Sequence, residues 1–155
     1  EPFAGTGTTL FAADEMGFGT YYSEINPLLQ LLIQTKINIL KKTQEEWRVI
    51  IKNINDSKRE LLSFNFPKSR ILDKAYHKVF KDSIYFPERN YDKILRTKSF
   101  IDSLPDSIEK DIITIAVAAC LIPSSYLKKQ GDLRFKTKKE LQKGIANFSD
   151  LFERI

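Results

Sequence analysis

The sequence predicts an α/β fold for residues 1–42 and a predominantly α-helical region for residues 43–155. Three observations lead to this prediction. A turn rich in glycine opens the chain, a short run with strand character lies between two helical segments, and helical spacing of apolar residues dominates the remainder. With 155 residues, 42% of them hydrophobic, the chain is long enough to bury a core.

The first 42 residues predict the order turn, helix, strand, helix. Residues 1–9 are small and glycine-rich, and a short helix is expected over about residues 8–16. Residues 20–25 are mostly aromatic or β-branched, as in strands. Asn26 and Pro27 then provide an N-cap and a first helical residue before an apolar stripe. This order is the middle of an α/β unit that lacks its first strand.

The following region carries successive helix signals. Thr43 and Glu46 have the spacing of a capping box, Ser69 is placed to cap a second helix, and Pro87 starts a third. Residues 108–122 are apolar nearly all round, which predicts a buried helix. Cys120 lies in that helix and is expected in the core.

Charge is distributed unevenly along the chain. Residues 1–35 contain four acids and no Lys or Arg, so that all 25 basic residues follow, against 16 acids. We interpret this as an acidic pocket followed by a body that favours a polyanion. The candidate nucleic-acid-binding residues lie in the basic segment 128–143 and are Lys128, Lys129, Arg134, Lys136, Lys138 and Lys139. A solvated helix face explains this segment equally well.

Several classes of protein are excluded or disfavoured. The single cysteine excludes an intrachain disulfide framework and a cysteine-based zinc site, and the only histidine, His77, has no second ligand at a matching spacing, so no metal site is expected. Residues 112–123 form the longest apolar run, well short of the roughly twenty residues that span a bilayer. We expect no signal peptide, no membrane association and a cytoplasmic location.

The glycine-rich turn and one later acid are the strongest candidates for a binding site. Gly5 and Gly7 allow a sharp turn into a helix, but no lysine follows as in a P-loop, and Leu10 replaces the third glycine of a dinucleotide-binding motif. Glu24 follows Gly7 by 17 residues, close to the spacing at which an acid binds ribose hydroxyls in Rossmann-like sites. Ile25 is expected beside an adenine ring.

Residues 1–9, Glu-Pro-Phe-Ala-Gly-Thr-Gly-Thr-Thr, resemble the D-P-F-x-G-[ST]-G-T-T motif of the DNA amino-methyltransferases. The resemblance implies a partial Rossmann-like methyltransferase fold and transfer of a methyl group from S-adenosylmethionine to N6 of adenine or N4 of cytosine, as in bacterial or archaeal restriction-modification enzymes. It places cofactor contacts at Glu1, Phe3, Ala4, Gly5, Thr6, Gly7, Glu24 and Ile25. Glu1 stands where the family has Asp.

A weaker resemblance covers residues 85–87 and 122–134, which are similar to a helical segment between the cofactor and catalytic halves of some members. The family's catalytic motif, [DNS]-P-P-[YFW], is absent, since the chain contains no Pro-Pro pair. The chain also opens on Glu1 rather than Met. We therefore expect a fragment that binds cofactor and DNA, has no catalytic residue of its own, and needs the rest of the enzyme or a partner subunit.

Two alternatives remain open at this point. One is a non-catalytic DNA-binding scaffold or subunit derived from a methyltransferase. The other is a methyltransferase that acts on RNA or on a small molecule.

Overall fold

A computed structural model describes all 155 residues and shows a predominantly helical protein. About 60% of the residues lie in eight helices, and the only sheet is a two-stranded antiparallel hairpin. The α/β prediction, with its partial Rossmann-like methyltransferase fold, is therefore wrong. None of the helices is long and apolar enough to cross a membrane.

The α/β prediction depended on a strand at residues 20–25. These residues are not in a strand, although the segment runs alongside residues 1–4 and shares three backbone hydrogen bonds with them. Aromatic and β-branched residues favour an extended backbone, but a sheet also needs neighbouring strands with a hydrophobic face to bury. Here the side chains of Tyr21 and Ile25 are more than nine-tenths exposed.

The chain divides into two compact units, residues 1–50 and residues 51–155. The helices and strands, in chain order, are α1 Thr8–Glu15, α2 Pro27–Leu40, α3 Gln44–Leu62, α4 Arg70–Phe80, α5 Glu88–Ser103, α6 Ile108–Leu121, β1 Leu127–Gln130, β2 Asp132–Phe135, α7 Lys138–Leu141 and α8 Phe148–Arg154.

The first unit has a small core made by the turn, α1 and α2. Ala4, Leu10 and Ile33 are buried, with Phe11 and Ile37 packed against them. Helix α2 begins as predicted, because the Asn26 side chain accepts a hydrogen bond from the Leu28 N–H at 2.9 Å and Pro27 follows it.

The second unit is built on a larger core in which α5, α6 and α8 pack together. Cys120 is 1% exposed, which confirms its predicted place in the core, and burial raises the pKa of its thiol. Asn90 is fully buried and joins three parts of this unit. Its amide nitrogen donates to the Ser124 and Ala146 carbonyls, and its oxygen accepts from the Phe148 N–H.

The predicted helix starts are confirmed, including the reciprocal hydrogen bonds of Thr43 and Glu46 and the capping of α4 by Ser69. The helical prediction is wrong over residues 127–135, which form the hairpin of β1 and β2. Gly131 lies between the strands with φ of 75°, a left-handed conformation that a continuing helix cannot contain.

Candidate functional site

The structure brings the glycine-rich turn and Glu24 together. One carboxylate oxygen of Glu24, Oε2, accepts a hydrogen bond from the Gly5 N–H at 2.8 Å, and the other, Oε1, accepts from the Asn26 N–H at 2.8 Å. These two hydrogen bonds hold the pKa of Glu24 below its ordinary value, and the bond from Asn26 has the larger effect. The side chain is therefore a charged bridge between the turn and the start of α2.

Two extended segments end at this bridge. The Glu1 amino group donates to the Tyr21 carbonyl at 3.0 Å, the Ser23 N–H donates to the Glu1 carbonyl at 2.9 Å, and the Ala4 N–H donates to the Ser23 carbonyl at 3.1 Å. Residue numbers increase in the same direction on both sides, so the segments are parallel. Their carboxyl ends meet where Gly5 and Glu24 are hydrogen-bonded.

The turn itself depends on glycine. The Gly7 N–H donates to the Ala4 carbonyl at 2.8 Å, and Gly5 and Gly7 have φ of 54° and 80°. A Cβ on Gly7 would lie 2.8 Å from Cε2 of Phe11, whereas a Cβ on Gly5 would meet nothing within 4 Å. Helix α1 starts at the next residue with no side-chain cap, so its first N–H groups have no intrahelical acceptor.

The remaining predicted cofactor residues differ in accessibility. Ala4 is buried in the small core, while Glu1 and Thr6 are exposed. Phe3 is 84% exposed and Ile25 is 92% exposed. Two large apolar side chains thus remain in solvent, Phe3 two residues before Gly5 and Ile25 directly after Glu24.

A shallow groove of about 640 Å³ adjoins this carboxylate. Its lining residues come from the second extended segment and α2 and are Tyr22, Ser23, Glu24, Pro27, Gln30, Leu31 and Gln34. Among the predicted cofactor residues only Glu24 lines the groove. The glycines of the turn lie outside it.

Two hydroxyl groups, those of Thr6 and Thr8, lie at the turn. The hydroxyl oxygens of Thr6 and Thr8 are 3.2 Å apart, and Lys36 Nζ donates to the Thr6 carbonyl at 2.8 Å. Neither threonine has a base beside it that would make it a nucleophile. No group of three His, Cys, Asp or Glu side chains in the chain is arranged to hold a metal ion.

Three of the six predicted nucleic-acid-binding residues form bonds within the protein. Lys128 Nζ lies 2.7 Å from Glu140, and Arg134 contacts both oxygens of the same carboxylate at 2.8 and 3.0 Å. Lys136 Nζ donates to the Ser125 carbonyl at 2.7 Å, and burial lowers its pKa. The side chains of Lys129, Lys138 and Lys139 are exposed and engage no acid.

Aromatic side chains of the second unit form a cluster. Tyr85 stacks on Phe135 with ring centroids 5.4 Å apart, and Tyr76 contacts Tyr91 at 4.9 Å. His77 is largely exposed at the edge of this cluster, with Nε2 3.5 Å from Asp73. An apolar cavity of about 510 Å³ adjoins the cluster, lined by Tyr76, Phe80, Tyr85, Phe86, Leu121, Leu127, Leu133, Arg134 and Phe135. The sequence interpretation missed this cavity, because its walls come from four separate segments.

The interpretation also missed a row of basic residues on α4. Arg70, Lys74 and Lys78 are all exposed and recur every four residues, a spacing that is visible in the sequence.

No protein-family model matches the chain, and no curated protein and no solved structure gives a match either.

Proposed function

We propose that residues 1–42 form the S-adenosylmethionine-binding part of a DNA amino-methyltransferase. The main support is the bridge made by Glu24, whose carboxylate hydrogen-bonds to both Gly5 and Asn26. Turn and acid, 19 residues apart, are the two features that the motif resemblance assigns to the cofactor.

The bridge leaves Glu24 able to bind a ribose. A carboxylate has about four acceptor positions, and two of them are used by backbone N–H groups. The remaining positions can accept from the two adjacent hydroxyls of a ribose, and the backbone bonds fix the carboxylate for this purpose. In this proposal Ile25 covers the adenine, and Phe3 with the glycine turn contacts the methionine part.

Methyl transfer needs further residues. The amino-methyltransferase motif that holds the target amino group is missing from the 155 residues. We therefore propose that the chain binds cofactor and DNA but transfers no methyl group unless a catalytic segment or subunit is supplied. Methyl transfer from labelled cofactor to DNA by the chain alone would contradict this part of the proposal.

Calorimetry with S-adenosylhomocysteine tests the cofactor site. The parent chain should bind, and Glu24→Gln should weaken binding by roughly tenfold or more, because one charged acceptor is lost. Glu15→Gln is the matched control, since Glu15 is exposed at the end of α1 and makes no ion pair. Its affinity should equal that of the parent.

Glu24→Gln also weakens the bridge to the turn, so a second variant is needed. Ile25 is 92% exposed, and Ile25→Ser leaves the internal contacts of the unit unchanged. If this side chain covers the adenine, the substitution should reduce affinity by roughly tenfold. A parent chain that does not bind, or a Glu24→Gln variant that binds as tightly as the parent, would refute the proposal.

A non-catalytic nucleic-acid-binding scaffold is the second candidate. It is favoured by the second unit, where 21 Lys and Arg residues face 14 Asp and Glu residues. This candidate predicts DNA binding that weakens with salt, together with no measurable affinity for S-adenosylhomocysteine.

A further inference from the structure

Helix α4 presents a continuous row of positive charge. Arg70, Lys74 and Lys78 are exposed and follow one another at intervals of four residues. Each interval rotates the side chain by about 40° around the helix axis, so that all three lie within about 80° of one another. Their Cβ atoms are about 5–6 Å apart from one residue to the next.

This row carries no acidic partner. None of its three side chains forms a salt bridge or a hydrogen bond. The only acid on α4, Asp73, accepts a hydrogen bond from the Tyr91 hydroxyl at 2.8 Å and therefore faces α5. The basic segment 128–143 differs, because the single carboxylate of Glu140 forms salt bridges with two of its cations, Lys128 and Arg134.

Acidic residues line a cleft at the Arg70 end of the row. Arg70 lines a cleft that also contains Asp73, Glu88 and Asp92. Asp92 is compensated by ion pairs with Lys68 and with Arg96. Lys74 and Lys78 line none of the cavities described above or this cleft. In the middle and at the far end of the row, Lys74 and Lys78 are exposed and form no salt bridge.

We propose that the outer face of α4 binds the phosphate backbone of nucleic acid. A regular line of cations fits a regular line of phosphates, and the excess of basic residues in the second unit adds long-range attraction. In the proposed DNA methyltransferase, this face of α4 is the surface that contacts the DNA. The inference rests on the proposed function only where it names DNA as the nucleic acid, since phosphate contacts require no cofactor.

The salt dependence of DNA binding by the full chain tests this assignment. The probe is a fluorescent 25-base-pair duplex of arbitrary sequence, without cofactor, and anisotropy is measured between 50 and 200 mM KCl. Each phosphate contact contributes about 0.9 to the slope of log affinity against log salt, so R70Q/K74Q/K78Q should flatten the slope by about 2.7. Over this range the parent should lose about 40-fold more affinity than the variant.

The matched control removes two charges elsewhere and is compared with K74Q/K78Q on α4. K52Q/R154Q replaces two cations of the second unit that are exposed, form no salt bridge and lie outside both α4 and the segment 128–143. It should change the slope by less than half as much as K74Q/K78Q. Equal slopes for the two variants would overturn the assignment, as would a parent chain that does not bind the duplex.

Two further results separate the possibilities. Polyglutamate of similar length should compete poorly for the parent chain, and equal affinity for both polymers would overturn the assignment to nucleic acid. The test is also independent of the cofactor site. If the parent chain binds DNA through α4 but does not bind S-adenosylhomocysteine, the inference about α4 stands and the proposed function is refuted. If it binds S-adenosylhomocysteine but not DNA, the proposed cofactor site stands and the inference about α4 is refuted.

Discussion

Alanine should be much less tolerated at Gly7 than at Gly5, although both residues lie in the same turn. Both have positive φ, 54° at Gly5 and 80° at Gly7, so each substitution incurs the left-handed penalty of about 1–2 kcal/mol. The two positions differ in the space around them. At Gly5 a Cβ would meet nothing within 4 Å.

Crowding adds to the cost at Gly7. Its new Cβ would lie 2.8 Å from Cε2 of Phe11 and 3.1 Å from Cγ1 of Ile33. Ile33 is fully buried and Phe11 packs on the same core, so neither side chain moves without opening the packing. Overpacking of this kind costs about 1–3 kcal/mol. We therefore expect Gly7→Ala to destabilise the first unit by about 2–5 kcal/mol, against about 1–2 kcal/mol for Gly5→Ala.

Urea unfolding followed by the fluorescence of Trp47 measures this difference. Trp47 is the only tryptophan of the chain and lies within residues 1–50. Because both variants share the left-handed penalty, the difference between their free energies of unfolding reports the crowding at Gly7. If the two variants unfold with free energies within about 0.5 kcal/mol of each other, the packing described around Gly7 is wrong.

Two other predictions concern a buried amide and the titration of the bridge. Asn90→Ala leaves the Ser124 carbonyl and the Phe148 N–H without their buried partner, at about 1–3 kcal/mol each, so thermal unfolding should show a loss of at least about 2 kcal/mol. The control Asn53→Ala removes an exposed hydrogen bond and should change stability by less than about 0.5 kcal/mol. Carboxyl ¹³C NMR should give Glu24 a pKa below its ordinary 4.5. Because the pKa of Glu24 is lower in the folded than in the unfolded chain, the bridge contributes its full stabilisation above the ordinary pKa, and this stabilisation is lost as pH falls through the folded pKa. A titration midpoint of Glu24 at or above 4.5 would contradict the prediction.

Local signals in the sequence predicted the helix starts well. Asn26, Thr43 and Ser69 cap helices by bonds to N–H groups a few residues away, so their chemistry is contained in a short window. The capping box of Thr137 and Glu140 has the same kind of signal and was overlooked within the basic segment.

Longer-range features were harder to predict. The strand prediction for residues 20–25 assumed a sheet, and whether a segment joins a sheet depends on partners far away in the sequence. The basic segment was judged by composition, which does not reveal that Lys128 and Arg134 share the carboxylate of Glu140. The sequence predicted only that Glu24 and Gly5 contact the same ligand. The direct hydrogen bond between them depends on the parallel pairing of two short segments.

An NMR titration of the ¹⁵N-labelled chain with S-adenosylhomocysteine tests the central claim most directly. The amide signals of Gly5, Gly7, Ile25 and Asn26 should shift together and saturate at one ligand per chain. Gly5 and Asn26 bond to the Glu24 carboxylate, Ile25 is the next residue along the chain, and Gly7 belongs to the same turn as Gly5. The amides of the second unit should remain unchanged. Saturable shifts confined to other residues, or no shifts at millimolar ligand, would contradict the assignment of this turn as a cofactor site.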